Sequence, residues 1–188
     1  MNQRIGMFGV AIFILILITA VILAVAAGPT HPLTWGLILF LFSIPFLHRK
    51  LTERHYLVWS DDYSVGIDSI DRQHRRLINL INQLQTAIDF AMDREFEREA
   101  LDELVDYTRT HFSYEEELMR EYGYPDFEAH RREHEGMIRK VENLLSSYER
   151  DPEGTIQEAH DFLRDWLIHH IQGTDRRYSG FLKEKGVT

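Results

Sequence analysis

Hydrophobic and polar positions alternate in two distinct ways along this chain. From Met7 to Ala27 no residue is charged, and apolar residues occupy every position of a helical turn. As a helix that run would be about 31 Å long, close to the thickness of a bilayer core. Gly28-Pro29-Thr30-His31-Pro32 interrupts it with a cluster too short for anything but a turn. A second apolar run follows from Leu33 to Leu47, again apolar all round. The pattern predicts a two-helix transmembrane hairpin over residues 1–50, with spans at about 7–27 and 32–48. A cleavable signal peptide competes with the first span, since Ala24-Val25-Ala26 resembles a cleavage site. The length of the run and the second apolar run straight after it count against cleavage.

From about Tyr56 the pattern becomes amphipathic. Residues 51–66 read as a linker and an irregular leader, Trp59 to Gly66. Four helices are then predicted. The first runs from Asp68 to Ala91 on a stripe of Ile67, Ile70, Leu77, Ile78, Ile81, Leu84 and Ile88. The second, Arg94 to Glu121, starts after a capping Asp93 and ends before Gly123 and Pro125. The third covers about Phe127 to Tyr148. The fourth opens on Asp151-Pro152 and carries Phe162, Leu163, Trp166 and Leu167. Short connections between four amphipathic helices predict an all-α, up-down-up-down four-helix bundle over residues 67–186.

Each apolar stripe carries polar residues that do not belong in a core. They are His74, then His111 with Glu115, His130 with His134, and His170. Residues four apart on a helix share a face, so two ligand-type pairs would confront each other across a helical hairpin. A buried carboxylate normally neutralises or finds a partner, and no Lys or Arg lies on these stripes to pair with Glu115. A cation resolves the conflict, and bundle cores are where facing helices build metal sites. His170 shares the apolar face with Trp166 and Leu167, whereas His169 lies toward the boundary. Asp175 would sit about 140° off that face in an ideal helix, and reaches the site only through a break or bulge near Gly173-Thr174. His31, His48, His55 and His160 have no such placement.

Composition narrows the chemistry. There is no cysteine among the 188 residues, which removes disulfides, thiolate clusters and cysteine nucleophiles. The net charge of −9 is uneven: the first 55 residues hold four basic residues against Glu53, and the remainder holds 17 basic and 29 acidic. An acidic body argues against nucleic acid as a partner. Arg4 before the first apolar run, and Arg49, Lys50 and Arg54 after the second, place both ends in the cytoplasm by the positive-inside rule. The predicted location is the bacterial inner membrane, with the bundle on its cytoplasmic side and the hairpin available for homo-oligomer contacts.

From Trp59 to Phe181 the chain resembles the hemerythrin family in its bacterial form. The resemblance rests on Val65-Gly66-Ile67, Asp71-Arg72-Gln73-His74, His111-Phe112 through Glu115, Gly123-Tyr124-Pro125, His130, His134, Trp166 through Ile171, Asp175 and Tyr178. It implies a non-haem di-iron centre: two iron ions per chain with an oxo or hydroxo bridge. His130, His134 and His170 would hold one iron and His74 and His111 the other, with Glu115 and Asp175 bridging. One coordination position stays open for dioxygen, in a pocket lined by Leu77, Phe112, Trp166 and Leu167. Asp71, Gln73 and Tyr178 are candidates to support the ligands, since ligating imidazoles need a partner for their second nitrogen.

Oxygen-activating di-iron bundles use more carboxylates and fewer histidines than this set. The resemblance therefore implies reversible oxygen binding without catalysis: a carrier or store that supplies a membrane oxygen-consuming enzyme. The alternatives are an oxygen or redox sensor, and a protein that detoxifies peroxide or nitric oxide.

Overall fold

The computed structural model describes residues 2–28, 31–52, 56–90, 93–148 and 150–188. The chain divides into two compact units, Met1–Tyr56 and Leu57–Thr188. Part of the breaker cluster (Pro29 and Thr30), part of the linker (residues 53–55), and Ala91 at the predicted end of a helix lie outside the described residues.

The first unit is a helical hairpin of α1 (Asn2–Ala27) and α2 (Pro32–Thr52), the second with Pro45 inside it. Leu17 and Thr34 are buried. The Thr34 hydroxyl donates to the Gly28 carbonyl at 3.2 Å, tying the start of α2 back to the end of α1. Phe13 and Phe40 meet edge to face at 6.5 Å. Most of the other described apolar side chains are exposed, among them Ile12, Leu15, Ile22, Leu39, Phe42 and Phe46.

The membrane expectation needs correcting at this point. Among the described residues no helix is long and apolar enough to cross a membrane. On α2 the apolar run from Leu33 to Leu47 is only about 22 Å long, against roughly 30 Å for a bilayer core, and Pro45 lies within it. The structure has an apolar hairpin where two spans were predicted.

The second unit is built on α3 (Asp68–Asp89), α4 (Arg94–Glu121), α5 (Phe127–Tyr148) and α6 (Pro152–His170). A π-helical turn, Ile171–Asp175, follows α6 and leads into α7 (Arg176–Glu184). Consecutive helices pack together and α6 closes back on α3, so the four surround one core. Every residue of the predicted α3 stripe is buried, with Ile67, Ile70 and Leu84 at 0 % exposure.

Local chemistry sets the helix limits. Asp151 accepts a hydrogen bond from the Gly154 amide at 3.2 Å, and Pro152 takes the first helical position, where its missing N–H costs nothing. Asp93 stands at the N-cap of α4, but its side chain makes no capping bond. At the other end of α4, Gly123 adopts φ +69°, Tyr124 N–H bonds to the Met119 carbonyl at 2.8 Å, and Gly123 N–H bonds to Arg120 at 3.3 Å. That pair of bonds is the glycine-terminated close that turns the chain into α5.

The leader is held against the bundle by polar contacts. Asn82 exchanges two 2.8 Å hydrogen bonds with the Leu57 backbone. Arg75 lies 3.8 Å over the Trp59 ring, and Arg176 donates to the Asp62 carbonyl at 2.5 Å. A turn at Asp61–Tyr63 and the positive-φ Gly66 (+75°) carry the leader into α3.

Candidate metal centre

Seven side chains converge in the core: His74 from α3, His111 and Glu115 from α4, His130 and His134 from α5, His170 from the end of α6, and Asp175 from the last position of the π-turn. None is more than 4 % exposed. The i, i+4 spacing on α4 and α5 does what the periodicity requires, stacking each pair on the inner face. The π-turn supplies the seventh. Its hydrogen bonds run i to i+5, so the residue five positions after His170 comes round beneath it instead of swinging away.

The geometry divides into two halves. His134 Nε2 lies 3.0 Å from His130 Nε2 and 3.0 Å from His170 Nε2. On the other side, His74 and His111 pack edge to face at 4.9 Å. The carboxylates straddle the halves. Glu115 Oε1 faces His74 (3.6 Å) and His111 (3.4 Å), while Oε2 faces His130 (3.8 Å) and His134 (3.5 Å). Asp175 Oδ2 faces His74 at 3.4 Å, while Oδ1 faces His130 at 3.6 Å and His170 at 3.0 Å. Two ligand groups have their atoms close enough to hold an ion each: Glu115 with His130, His134 and His170, and Glu115 with His74 and His111.

A metal fits this arrangement on chemical grounds. Buried polar atoms are almost always paired, yet both nitrogens of His74, His111 Nε2, Glu115 Oε2 and both oxygens of Asp175 have no hydrogen-bond partner. Three imidazole Nε2 atoms pointing at one another put lone pair against lone pair. Imidazole nitrogens bind first-row metals at about 2.1 Å, so two at right angles around one ion stand about 3.0 Å apart. That matches the spacing at His134.

The electrostatics show how tightly the site is coupled. Burial alone would lower the His74 pKa, but Asp175 and Glu115 outweigh it and hold the imidazole at about 9. Burial pushes His111 down to about 4. Burial opposes ionisation of both acids, yet the surrounding imidazoles hold Glu115 well below the carboxylate range and Asp175 below it. The Tyr178 phenol, fully buried, is pushed well above its ordinary value by that burial and by the charges of Glu115 and Asp175. It therefore stays protonated and donates to Glu115 Oε1.

Around the cluster, Gln73 Oε1 lies 2.9 Å from His111 Nδ1. Asp71 does not support an imidazole, contrary to its expected role. Its oxygens accept from the Ser64 hydroxyl (2.5 Å) and the Val65 amide (2.8 Å), so it secures the leader instead. Tyr178 supports a carboxylate and not a histidine. Two glutamates missed in the sequence take the imidazole role: Glu116 Oε1 is 3.0 Å from His134 Nδ1, and Glu133 Oε2 is 3.3 Å from His170 Nδ1. Each directly adjoins a ligand in sequence but lies off the apolar stripe, which is why periodicity passed over them.

Of the predicted pocket residues, Phe112 stacks on His134 with ring centres 3.7 Å apart, and Trp166 stacks on His170 at 4.1 Å. Leu77, Leu167 and Phe112 are buried, while Trp166 is half-buried and borders a surface groove. His169 is exposed and bonds to the Asp165 carbonyl. His160 is not the unremarkable residue the pattern suggested: it is fully buried, with Nδ1 3.0 Å from Asp161 and Nε2 unpartnered.

Comparison with known proteins gives a consistent picture. Residues 65–182 match the family model described as the hemerythrin HHE cation-binding domain. A bacteriohemerythrin of Stenotrophomonas maltophilia is 44 % identical over 127 residues, covering 68 % of this chain and 82 % of the relative. One from Pseudomonas aeruginosa is 38 % identical over 123 residues, covering 65 % and 79 %. A wild-type hemerythrin crystal structure superposes with a TM-score of 0.60 at 31 % identity, covering 66 % of this chain and 95 % of that one.

Proposed function

Because the chain belongs to the hemerythrin family, we propose that it binds dioxygen reversibly at a non-haem di-iron centre. The matching family model is described as a cation-binding domain, and the resemblance implies that the cations are two irons and the ligand dioxygen. One observation carries the reading to this chain. Five histidines and two carboxylates meet in a core with each carboxylate turning one oxygen to either half.

His130, His134 and His170 would hold one iron and His74 and His111 the other, with Glu115 and Asp175 offering one oxygen to each half. When bound, two irons would together supply the electrons for reversible oxygen binding. The protein's part is to orient and to exclude water. Phe112 and Trp166 back His134 and His170 with aromatic faces, and Leu77 and Leu167 add apolar bulk. Tyr178 holds Glu115 by a hydrogen bond to Oε1.

The test is the absorption spectrum of the purified, iron-loaded protein through cycles of deoxygenation and reoxygenation. A charge-transfer band should appear with oxygen and vanish under vacuum, repeatedly. A band that is lost once and never returns would contradict reversible binding. Steady turnover of peroxide or nitric oxide would favour the detoxifying alternative.

The finer part of the proposal concerns place. Residues 1–50 form the hairpin, 51–66 the linker and leader, and 67–186 the bundle. We place the hairpin in contact with a lipid bilayer, with the bundle on the cytoplasmic side, near a membrane enzyme that consumes oxygen. The support is the row of exposed apolar side chains on α1 and α2, together with the basic residues flanking the apolar runs. It stands beside the finding that no described helix is long and apolar enough to cross a membrane. Recovery of the protein in the membrane fraction after an alkaline carbonate wash supports this placement, and complete release by the wash overturns it.

A further inference from the structure

The two halves of the centre differ in what stands behind the histidines. Behind His134 is Glu116, 3.0 Å from Nδ1 and 21 % exposed. Behind His170 is Glu133, 3.3 Å from Nδ1 and 45 % exposed. In the other half, His111 Nδ1 meets the neutral amide of Gln73 at 2.9 Å, and His74 Nδ1 has no partner. The three-histidine half is therefore backed by two carboxylates and the two-histidine half by none.

Glu133 has a second task. The same oxygen that faces His170 accepts a hydrogen bond from the Thr174 hydroxyl at 2.8 Å, and Thr174 accepts in turn from Arg177 at 3.2 Å. Thr174 sits inside the π-turn. One α5 carboxylate thus faces the His170 ring and holds the turn that delivers Asp175.

We propose that Glu116 and Glu133 are positioning residues that make the two metal positions unequal, setting His134 and His170 with Nδ1–H outward and Nε2 inward, and adding negative charge to the three-histidine half alone. The proposal rests on reading the cluster as a two-metal centre. A carboxylate behind an imidazole fixes its tautomer and raises its basicity as a ligand. The three-histidine position should consequently bind a divalent ion more tightly, and its iron should be the easier of the two to oxidise.

The experiment uses the full chain, stripped of metal and titrated with Co(II) under nitrogen, followed by iron reconstitution and spectroelectrochemistry. The wild type should take up two Co(II) per chain in two resolvable steps, and His74→Ala should keep the tighter one. Glu116→Gln and Glu133→Gln retain an acceptor for Nδ1–H but lose the charge. Each should weaken the tighter step about tenfold or more, the usual range for such partners, and leave the weaker step unchanged. Their iron potentials should move to more positive values. A structural role alone would not shift the potential in a glutamine variant that keeps the acceptor oxygen.

Equal weakening of both steps, or no change in either, would overturn the proposal while leaving the two-metal reading intact. Uptake of fewer than two Co(II) by the wild type would remove that reading, and this inference with it. Should Glu133→Gln fail to fold, Glu116→Gln, which has no part in holding the π-turn, carries the same test.

Discussion

The Tyr178 hydroxyl donates to Oε1 of Glu115, the carboxylate oxygen that also faces His74 and His111. Tyr178 lies on α7, beyond the π-turn, and Glu115 lies in the middle of α4. The bond therefore joins the last helix to the centre of the bundle. Both groups are fully buried, and burial together with the nearby acid charges keeps the phenol protonated.

Replacing Tyr178 with Phe keeps the ring and removes the donor. Hydrogen bonds to charged groups contribute about 1.5–3 kcal/mol, and a stranded acceptor makes the loss larger. Urea denaturation of the metal-free Tyr178→Phe chain should show a loss of about 2 kcal/mol. Unchanged stability would mean that Glu115 does not depend on this donor.

Removal of single histidines from the cluster should have half-specific results. His74→Ala should bind one iron per chain instead of two, because it leaves His130, His134 and His170 in place. Elemental analysis after reconstitution and desalting measures this directly. A count still at two would show that His74 is dispensable.

Deleting Thr174 should turn the π-turn into ordinary helix. Each residue of an α-helix advances about 100°, so the aspartate, now four positions after His170, would stand about 40° from it and stay on the inner face. Iron uptake should persist while far-UV circular dichroism stays close to that of the parent. Loss of uptake by the deletion would show that regular helix cannot place this carboxylate.

His160 gives the bundle an acid sensitivity independent of the metal centre. Burial lowers its pKa below the ordinary 6.5. As pH falls below about 6.5 the unfolded chain takes up a proton that the folded chain refuses, so stability falls with pH. Above that value the difference vanishes. Denaturation midpoints of His160→Gln measured between pH 7.5 and 5.5 should decline less steeply than those of the parent, and parallel slopes would refute the assignment.

Phe112 is 4 % exposed and stacked on His134. Phe112→Ala should cost about 3–5 kcal/mol by removing the buried ring, whereas Trp166→Ala, at a half-buried position, should cost less. Thermal melts of the two variants side by side provide the comparison.

Much of this arrangement is readable from the chain. The limits of α4 and α5 follow from punctuation at Asp93, Gly123 and Pro125 and from apolar residues at helical spacing. The anomalous position of Asp175, five residues after His170, requires a distorted turn on helix geometry alone. Other features resist such reading. Glu116 and Glu133 lie one position off the inward stripe, and nothing in a helical period marks an outward carboxylate as a partner for a histidine on the next helix. Asp71 satisfies the start of α3, a local competitor that periodicity does not register. His160 was within reach: it stands four residues after Ile156 and three before Leu163, on the buried face of α6. The hairpin shows the limit of an apolar run, which predicts helices well but says less about what surrounds them.

The π-turn also sets the phase of everything after it. Tyr178 and Leu182, both fully buried, face the core only because the extra residue has rotated α7 to suit them. Rewinding the turn into regular helix with every residue kept would move Asp175 about 140° out of the centre and carry the Tyr178 and Leu182 positions off the core face in the same step. The position of Asp175 and the closing helix are thus inherited together. A chain descended from this one cannot take Asp175 out of the buried cluster by simple loss of the irregularity without also giving up the packing of its last helix.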